Sequence, residues 1–328
     1  MNFSIVVCTY NPNLEIFNRL LDSLFAFSSL SPLHEIIIVD NNSMPSLINN
    51  LVIEEFLLKK KNSRLIREEI PGLTSARLTG IKAAKYEWII FFDDDNEPNS
   101  EYLINAAYSI SLYPDVGIWG PGNVNVHFLG IKNQWVHLHK NLFQERNEDV
   151  IRYGNKTSWQ EYYPYGTGLI GRKEILESYV FNVENNIYTL SDRKGKSLSS
   201  GGDVQIVYTA IKNGFSVGVN PSIKLNHLID SSKAKLSYLR SQQYYTATAS
   251  ILAYNQVFTH NLIVLKKIRN RDVLLRVYTL SRIYWLNLDR RSFQLLLASK
   301  IGELNAMSYA SGQKKPILLR LYEWIINV

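Results

Sequence analysis

Trp88-Ile-Ile-Phe-Phe-Asp-Asp-Asp-Asn-Glu-Pro98 is the stretch on which the fold turns. Five consecutive apolar residues, Trp88 to Phe92, read as a strand covered on both faces, the pattern of a parallel sheet packed between helices. The run stops at three acids, Asp93, Asp94 and Asp95. In an open α/β sheet ligands bind outside the carboxyl ends of strands, so these acids stand where a ligand would be met. Like charges there repel one another unless a cation joins them. Carboxylates at i and i+2 in a turn can converge on one hard divalent ion that keeps positions open for phosphate oxygens. A metal bridging a diphosphate is the reading this favours, against the plainer one of an acidic surface turn.

Upstream the chain alternates strand and helix. Phe3 to Thr9 is a β-branched run, followed by Leu14, Phe17, Leu21 and Leu24 at helical spacing. His34 to Val39 is a second buried strand ending in Asp40-Asn41-Asn42-Ser43, and Ser63 to Glu69 a third, nearer an edge. Pro71-Gly72 turns into a helix over 74–85 whose Leu73, Ala76, Gly80 and Ala83/Ala84 side is small enough to lie close on a sheet. Downstream, Asn99 or Ser100 can cap a helix to about Leu112, and Val116 to Trp119 forms a fifth strand. The fold class is α/β: a mostly parallel sheet with helices on both faces. Asp40 follows its strand as Asp93 follows its own. It could accept from a nucleobase imide or ribose hydroxyl, or simply close an Asx turn.

Beyond Gly120 regularity decays. Residues 121–165 are aromatic and amide-rich, 166–171 read as a strand and 173–179 as a helix. A polar loop over 191–202 precedes a helix from Asp203 to Lys212, then short strands at 215–219 and 223–227. From about Asp230 the chain is predominantly helical. There Leu274, Val277, Tyr278, Trp285 and Leu288 share one helical face, with Arg269, Arg276 and Arg290 opposite.

Composition narrows the class. At 46% hydrophobic and 20% charged, the 328 residues suit a globular protein, and a lone Cys8 excludes a disulfide framework or thiolate zinc site. The opening residues lack the basic and apolar regions of a secretory signal, and no run of about 18 apolar residues offers a membrane span. The expectation is a cytoplasmic protein. Its net charge of +7 is uneven: residues 260–328 hold 12 Lys and Arg against 4 Asp and Glu, leaving the rest at −1. Such basic helices suit anionic lipid, an oligomer contact or plain solvent; no groove-reading or base-stacking motif accompanies them, so nucleic acid is not expected.

Four ordered blocks resemble glycosyltransferase family 2, the inverting transferases of GT-A (Rossmann-like) fold: Ile5-Val-Val-Cys-Thr-Tyr-Asn11, Ile37-Ile-Val-Asp-Asn-Asn-Ser43, Pro71-Gly-Leu-Thr-Ser-Ala-Arg-Leu-Thr-Gly-Ile81 and Asp93-Asp-Asp95. The likeness continues more loosely through Gly166-Thr-Gly-Leu-Ile-Gly-Arg172, Ser200-Gly-Gly-Asp203 and Asn226-His-Leu228. It implies a transferase domain over 1–230, with a nucleotide-binding half to about 120 and an acceptor half after it, and a basic helical extension over 231–328. It also implies roles. Thr9, Tyr10, Asn11 and Asp40 would hold the nucleoside, Arg77 would lie near the diphosphate, Asp93 would contact ribose or metal, and Asp95 would ligate the metal. Asp203 would be the catalytic base, although Gly202 stands where the family has Glu, and Leu78 where it often has Asn.

The chemistry fits that base. Inversion needs one carboxylate to take the acceptor's proton as its oxygen attacks opposite the leaving diphosphate; as a bland alternative, Asp203 caps its helix. His227 would complete a Mn²⁺ or Mg²⁺ site or serve as a hydrogen-bonded structural residue. Trp119, Trp135, Trp159, Tyr162, Tyr163 and Tyr165 could stack on sugar or fill the core. The activity implied is transfer of one sugar from a nucleotide-diphosphate sugar to a saccharide or lipid-linked acceptor, as in bacterial surface polysaccharide synthesis at the inner face of the membrane. The absence of Gln-x-x-Arg-Trp argues against a processive synthase. Two alternatives are a catalytically silent carbohydrate-binding or scaffold protein on the same fold, and a phosphoryl-transfer hydrolase of the haloacid dehalogenase type. The second lacks Gly-Thr after its acids, and the acidic strand is not the first.

Overall fold

The computed structural model describes residues 1–328 apart from 28–29, 191, 194–197, 199, 264–266, 288 and 327–328, and apart from the side chains at 283 and 285–287. Much of the expected polar loop at 191–202 therefore lies outside the described residues. The chain divides into two compact units, Met1–Asn186 with Ile206–Asp230, and Ile187–Gln205 with Ser231–Val328.

The first unit runs β1 (Phe3–Thr9), α1 (Leu14–Phe25), β2 (His34–Asp40), α2 (Leu51–Lys59), β3 (Ser63–Arg67), α3 (Leu73–Ala83), β4 (Trp88–Asp93), β5 (Asn96–Pro98), α4 (Tyr102–Leu112) and β6 (Val116–Phe128). It continues with α5 (Gln134–His137), β7 (Arg146–Asn147), β8 (Arg152–Gly154), β9 (Ile170–Arg172), α6 (Lys173–Glu184), most of α7 (Gly202–Lys212) and β10 (Ser216–Ile229). The sheet order is β3-β2-β1-β4-β9-β6-β10-β5, with β7 on β6 and β8 on β10. The pairs β3-β2, β2-β1, β1-β4 and β6-β10 are parallel, while β9, β5, β7 and β8 pair antiparallel. The expected parallel character thus belongs to the first half; the second half is mixed.

Sequence explains the parallel half. All seven residues of β1 are buried, as covering on both faces requires. Trp88, Ile90 and Phe92 of β4 join Phe3, Ile5, Val7, Phe17 and Tyr102 in one core cluster, each such side chain contributing about 1.5–3 kcal/mol. On the other face α3 lies so close that a Cβ on Gly80 would stand 2.3 Å from Val6 Cγ1, which accounts for the small residues along that helix. Asn13 caps α1, its side chain accepting from the amides of Glu15 and Ile16.

The second half departs from the sequence reading. The two short strands expected at 215–219 and 223–227 form one strand, β10, whose pairing with β6 slips between Asn220 and Lys224. The polar interruption is a bulge within the strand. The fifth strand extends to Phe128, and β5, too short and polar to show periodicity, pairs with β10.

The second unit contains α8 (Leu236–Val257), α9 (Asn270–Asn287), α10 (Arg290–Ala310) and α11 (Ile317–Ile325). Helices α8 and α10 are in contact at Gly302, where a Cβ would meet the Tyr244 carbonyl oxygen at 2.3 Å. Tyr244, Val273, Leu280, Leu297, Ile301 and Leu319 are among its core. The α9 face expected from the sequence needs correction. Val273 and Leu280 are buried and Val277 packs beside them, whereas Leu274 and Tyr278 are exposed. Trp285 and Leu288 lie outside the described side chains, and Arg290 begins the next helix.

Candidate active site at the sheet switch point

From β1 the chain steps outward through β2 to β3, then returns so that β4 pairs with the other side of β1. That reversal is the place where open α/β sheets take ligands. The register aligns Thr9 with Asp40 and Cys8 with Asp93. One edge therefore gathers Thr9, Tyr10 and Asn11, Asp40 to Ser43, and Asp93 to Asn96.

The loops at this edge are held by their own side chains. Asp40 is fully buried; its Oδ1 accepts from the Ser43 amide at 2.9 Å, and its Oδ2 from the Leu47 amide at 3.1 Å, with Arg67 Nη1 at 3.7 Å. Burial alone would raise its carboxyl. Hydrogen bonds from Ser43 and Leu47 and the charge of Arg67 instead hold it below the ordinary carboxylate value. These contacts describe a carboxylate that closes a turn. Asn11 and Asn42 adopt left-handed backbone at φ 47° and 60°, a conformation Asn tolerates. The Asn11 amide donates to Ser43 Oγ and the Met44 amide to Asn11 Oδ1, tying the two loops together. Asn41 Oδ1 accepts from the Gly72 amide at the start of α3. Tyr10 is 60% exposed and open to a ligand.

The acidic run separates into different tasks. Thr9 Oγ1 donates to Asp94 Oδ2 at 2.7 Å across the switch point. Glu97 is bound by Arg19 through two hydrogen bonds and by Asn226 Nδ2, joining α1, β5 and β10. Asp93 and Asp94 are both felt at Cys8. Burial first, opposed by Arg77 and reinforced by those two acids, pushes the thiol up to about 12. The thiol stays protonated and acts as a small core residue. Arg77 is 4% exposed, placed with this acidic end of the sheet.

Asp95 and His227 meet. His227 lies on β10 opposite Asn96, and its Nε2 stands 3.4 Å from Asp95 Oδ1, both residues buried. The ring's other nitrogen, Nδ1, is 2.8 Å from the Phe143 carbonyl oxygen. A carbonyl only accepts, so Nδ1 carries the proton, and in the neutral ring the Nε2 lone pair faces the carboxylate. Two acceptors at that separation suit a shared cation, and a nitrogen and an oxygen are a set that Mn²⁺ accepts. Asp93 does not join them in a ready set: among the described residues no three His, Cys, Asp or Glu side chains gather as metal ligands.

Asp203 lies in the other unit, in the first turn of α7, and is 8% exposed. Its Oδ1 accepts from its neighbour's amide, Val204 N, at 2.9 Å. The amides of Gly201 and Gly202 are instead taken by Asp192, itself fully buried. Capping at the helix start is thus the task of Asp192, which no spacing rule in the sequence singles out.

The aromatic residues divide as well. Trp119 and Tyr163 are core, whereas Trp159 is 37% exposed with its ring against Tyr163 and Tyr208. Buried Arg146, unmarked by the sequence reading, donates to the carbonyls of Glu161, Tyr162 and Tyr163 and lies over the Tyr165 ring, so it shapes this segment. Thr167 is a second omission. The Phe91 amide donates to the Leu169 carbonyl, continuing the β4–β9 register toward Asp93, and among the described residues the buried Thr167 hydroxyl meets no hydrogen-bond partner.

Comparison with known proteins identifies the family. A poly(ribitol-phosphate) beta-glucosyltransferase of Bacillus spizizenii is 26% identical over 226 residues, 67% of this chain and 34% of the relative, so the chain spans about a third of that relative's length. The solved structure of GalNAc-T7 with UDP, GalNAc and Mn²⁺ shares the fold at TM-score 0.50 and 17% identity, over 76% of this chain and 50% of that one. S. aureus TarS 1-349 in complex with UDP-GlcNAc aligns at TM-score 0.47 and 17% identity, over 95% and 93%. The family described as Glycosyl transferase family 2 matches residues 4–180, more than half of the chain and the part that carries the switch point. By that match the chain belongs to glycosyl transferase family 2.

Proposed function

We propose that this protein moves a single sugar from a nucleotide-diphosphate sugar to a hydroxyl of a saccharide or glycolipid acceptor, with inversion at the anomeric carbon. The observation that carries the reading is the buried pair of Asp95, just past β4, and His227 on β10, with His227 Nε2 3.4 Å from Asp95 Oδ1. A uridine diphosphate donor is supported by the ligands of the similar solved structures, and a polyol-phosphate polymer of the bacterial surface by the curated relative's name. A bound Mn²⁺ or Mg²⁺ would be held by Asp95 and His227, with phosphate oxygens in the open positions, and would offset the charge of the departing diphosphate.

The remaining steps fall to the chain's own groups. Asp203 takes the proton of the acceptor hydroxyl as its oxygen bonds to the anomeric carbon, and the bond to the diphosphate oxygen breaks with its electron pair on the leaving group. Arg77 adds positive charge near the diphosphate. The Thr9–Asn11 and Asp40–Ser43 loops receive the nucleoside, Asp40 acting through the turn it holds. Asp93 meets the ribose or the metal.

The test is nucleotide diphosphate release from a series of nucleotide sugars, with and without acceptor polymer, at varied Mn²⁺ and Mg²⁺. Turnover should depend on the metal, and Asp95→Asn should lose about 10³-fold or more. Undiminished turnover by Asp95→Asn, or no thermal shift of the wild type with uridine diphosphate and Mn²⁺, would sink the reading.

A further inference from the structure

The helical unit presents outward a surface of a kind the sheet unit's catalytic edge does not need. Helix α11 turns Leu319 inward, while Ile317, Leu321, Trp324 and Ile325 are 67, 45, 76 and 52% exposed. Their spacing of i, i+4, i+7 and i+8 puts all four on one face. Helix α9 packs against α11. With Val273 and Leu280 buried, it leaves Leu274, Tyr278, Arg271 and Arg282 outside, and at 100° per residue these four share about a quarter of its circumference. Apolar residues interleaved with arginines cover both helices' outer faces, Arg320 being exposed on α11. A helix of nine residues rises only about 14 Å, and among the described residues no helix is long and apolar enough to cross a membrane.

We propose that the outer faces of α9 and α11 dock on an anionic lipid surface. Charge selects this occupant. Residues 260–328 hold 12 Lys and Arg against 4 Asp and Glu, while the rest of the chain carries a net −1. A surface built for a neutral protein partner has no need of that surplus, whereas lipid phosphates do. Trp324 adds a second reason: an indole bared to solvent suits the boundary between headgroup and acyl chain, where its ring is buried and its N–H stays wet. The leucines and isoleucines would enter to the same shallow depth with the arginines at the phosphates, an arrangement that lies on a bilayer without spanning it. The inference does not depend on donor, acceptor or metal, so it stands or falls separately from the catalytic reading.

The experiment is flotation of the full chain, without substrates, with vesicles of phosphatidylcholine alone and of phosphatidylcholine mixed with phosphatidylglycerol. The wild type should float with the mixed vesicles, and binding should fall as salt is raised, because exposed charges are screened within about 10 Å at 0.1 M. The double variant Trp324→Ser/Leu321→Ser changes only exposed positions and should lose roughly tenfold in vesicle binding with an unchanged circular dichroism spectrum. Arg271→Gln/Arg282→Gln should lose the preference for the anionic mixture. Equal binding to both vesicle types, no binding at all, or undiminished binding by the tryptophan variant would overturn the proposal. So would a wild-type dimer, seen by sedimentation equilibrium, that the tryptophan variant converts to monomer; the face would then belong to a second copy.

Discussion

The two units solve opposite problems with their polar residues. In the sheet unit, charge is drawn inward: Asp40 is fully buried, Asp95 and Arg77 nearly so, and each loop at the switch point is tied by its own asparagine, serine or aspartate side chains. Along helices α8 to α11 none of the described Lys, Arg, Asp or Glu residues is buried, and much apolar surface joins them outside, as Leu274, Tyr278 and Trp324 show. Buried carboxylates must be pre-positioned because desolvation penalises any that lack partners, and preorganised groups are what a transferase needs. The exposed leucines and arginines need no fixed geometry, which suits a surface and not a reaction centre. Two buried carboxylates of the second unit, Asp192 and Asp203, complicate the division. Asp203 belongs to the second unit by its contacts, yet begins a helix that ends in the first.

The largest effect should come from that group. Asp203→Asn keeps size and hydrogen-bonding reach but removes the base proposed above, so transfer should fall by about 10²–10⁴-fold, while the affinity for uridine diphosphate with Mn²⁺ stays within twofold of wild type, roughly the noise of such comparisons. Calorimetric titration alongside turnover separates the two. Wild-type rates would return Asp203 to a purely structural role and leave all chemistry to the sheet unit.

The next test breaks the units apart by stability. Gly302→Ala sets a methyl against the Tyr244 backbone carbonyl, which cannot step aside, whereas Gly80→Ala presses on the Val6 side chain. Each should cost about 1–3 kcal/mol from overpacking. Hydrogen exchange should show protection lost in α8 and α10 for the first variant and in β1 and α3 for the second. Loss spread evenly over both units in either variant would mean that they unfold as one.

The same division explains what the sequence disclosed. Strands β1, β2 and β4 are buried on both faces, so each appears as an unbroken apolar run ending at a turn of Asn or Asp, and position in an α/β sheet then marks those ends as a site. Contacts between distant segments left no such trace. Nothing local joins His227 to the Phe143 carbonyl, 84 positions away, or Thr9 to Asp94. Asp192 accepts from the amides of Gly201 and Gly202, 9 and 10 positions further on. In α9 periodicity misled because both sides are apolar: Val273 and Leu280 face the core, and Leu274 and Tyr278 fit a helical stripe equally well. Hydrophobic spacing finds an amphipathic face only where the opposite face is polar.

The smallest predicted effect lies at the other end of the strands, where burying a carboxylate serves the fold alone. Glu35, 1% exposed, accepts from Ser4 Oγ at 2.6 Å and the Lys85 amide at 2.8 Å, and pairs with Arg64 at 2.5 Å. Burial would raise its carboxyl, yet the hydrogen bonds from Ser4, Lys85 and Arg64 together hold it below its ordinary 4.5. A carboxyl lowered on folding stabilises fully above its unfolded value, and that contribution is lost as pH falls through the folded one. Glu35→Gln should therefore cost about 1 kcal/mol near pH 7. The gap to wild type in urea midpoint should close as the solution is acidified below about 4, since the protonated acid and the amide are then alike. A gap that persists unchanged in acid would place the cost in packing and not in charge, and Glu35 would no longer distinguish a sheet that buries its ions from helices α8 to α11, which leave theirs outside the core.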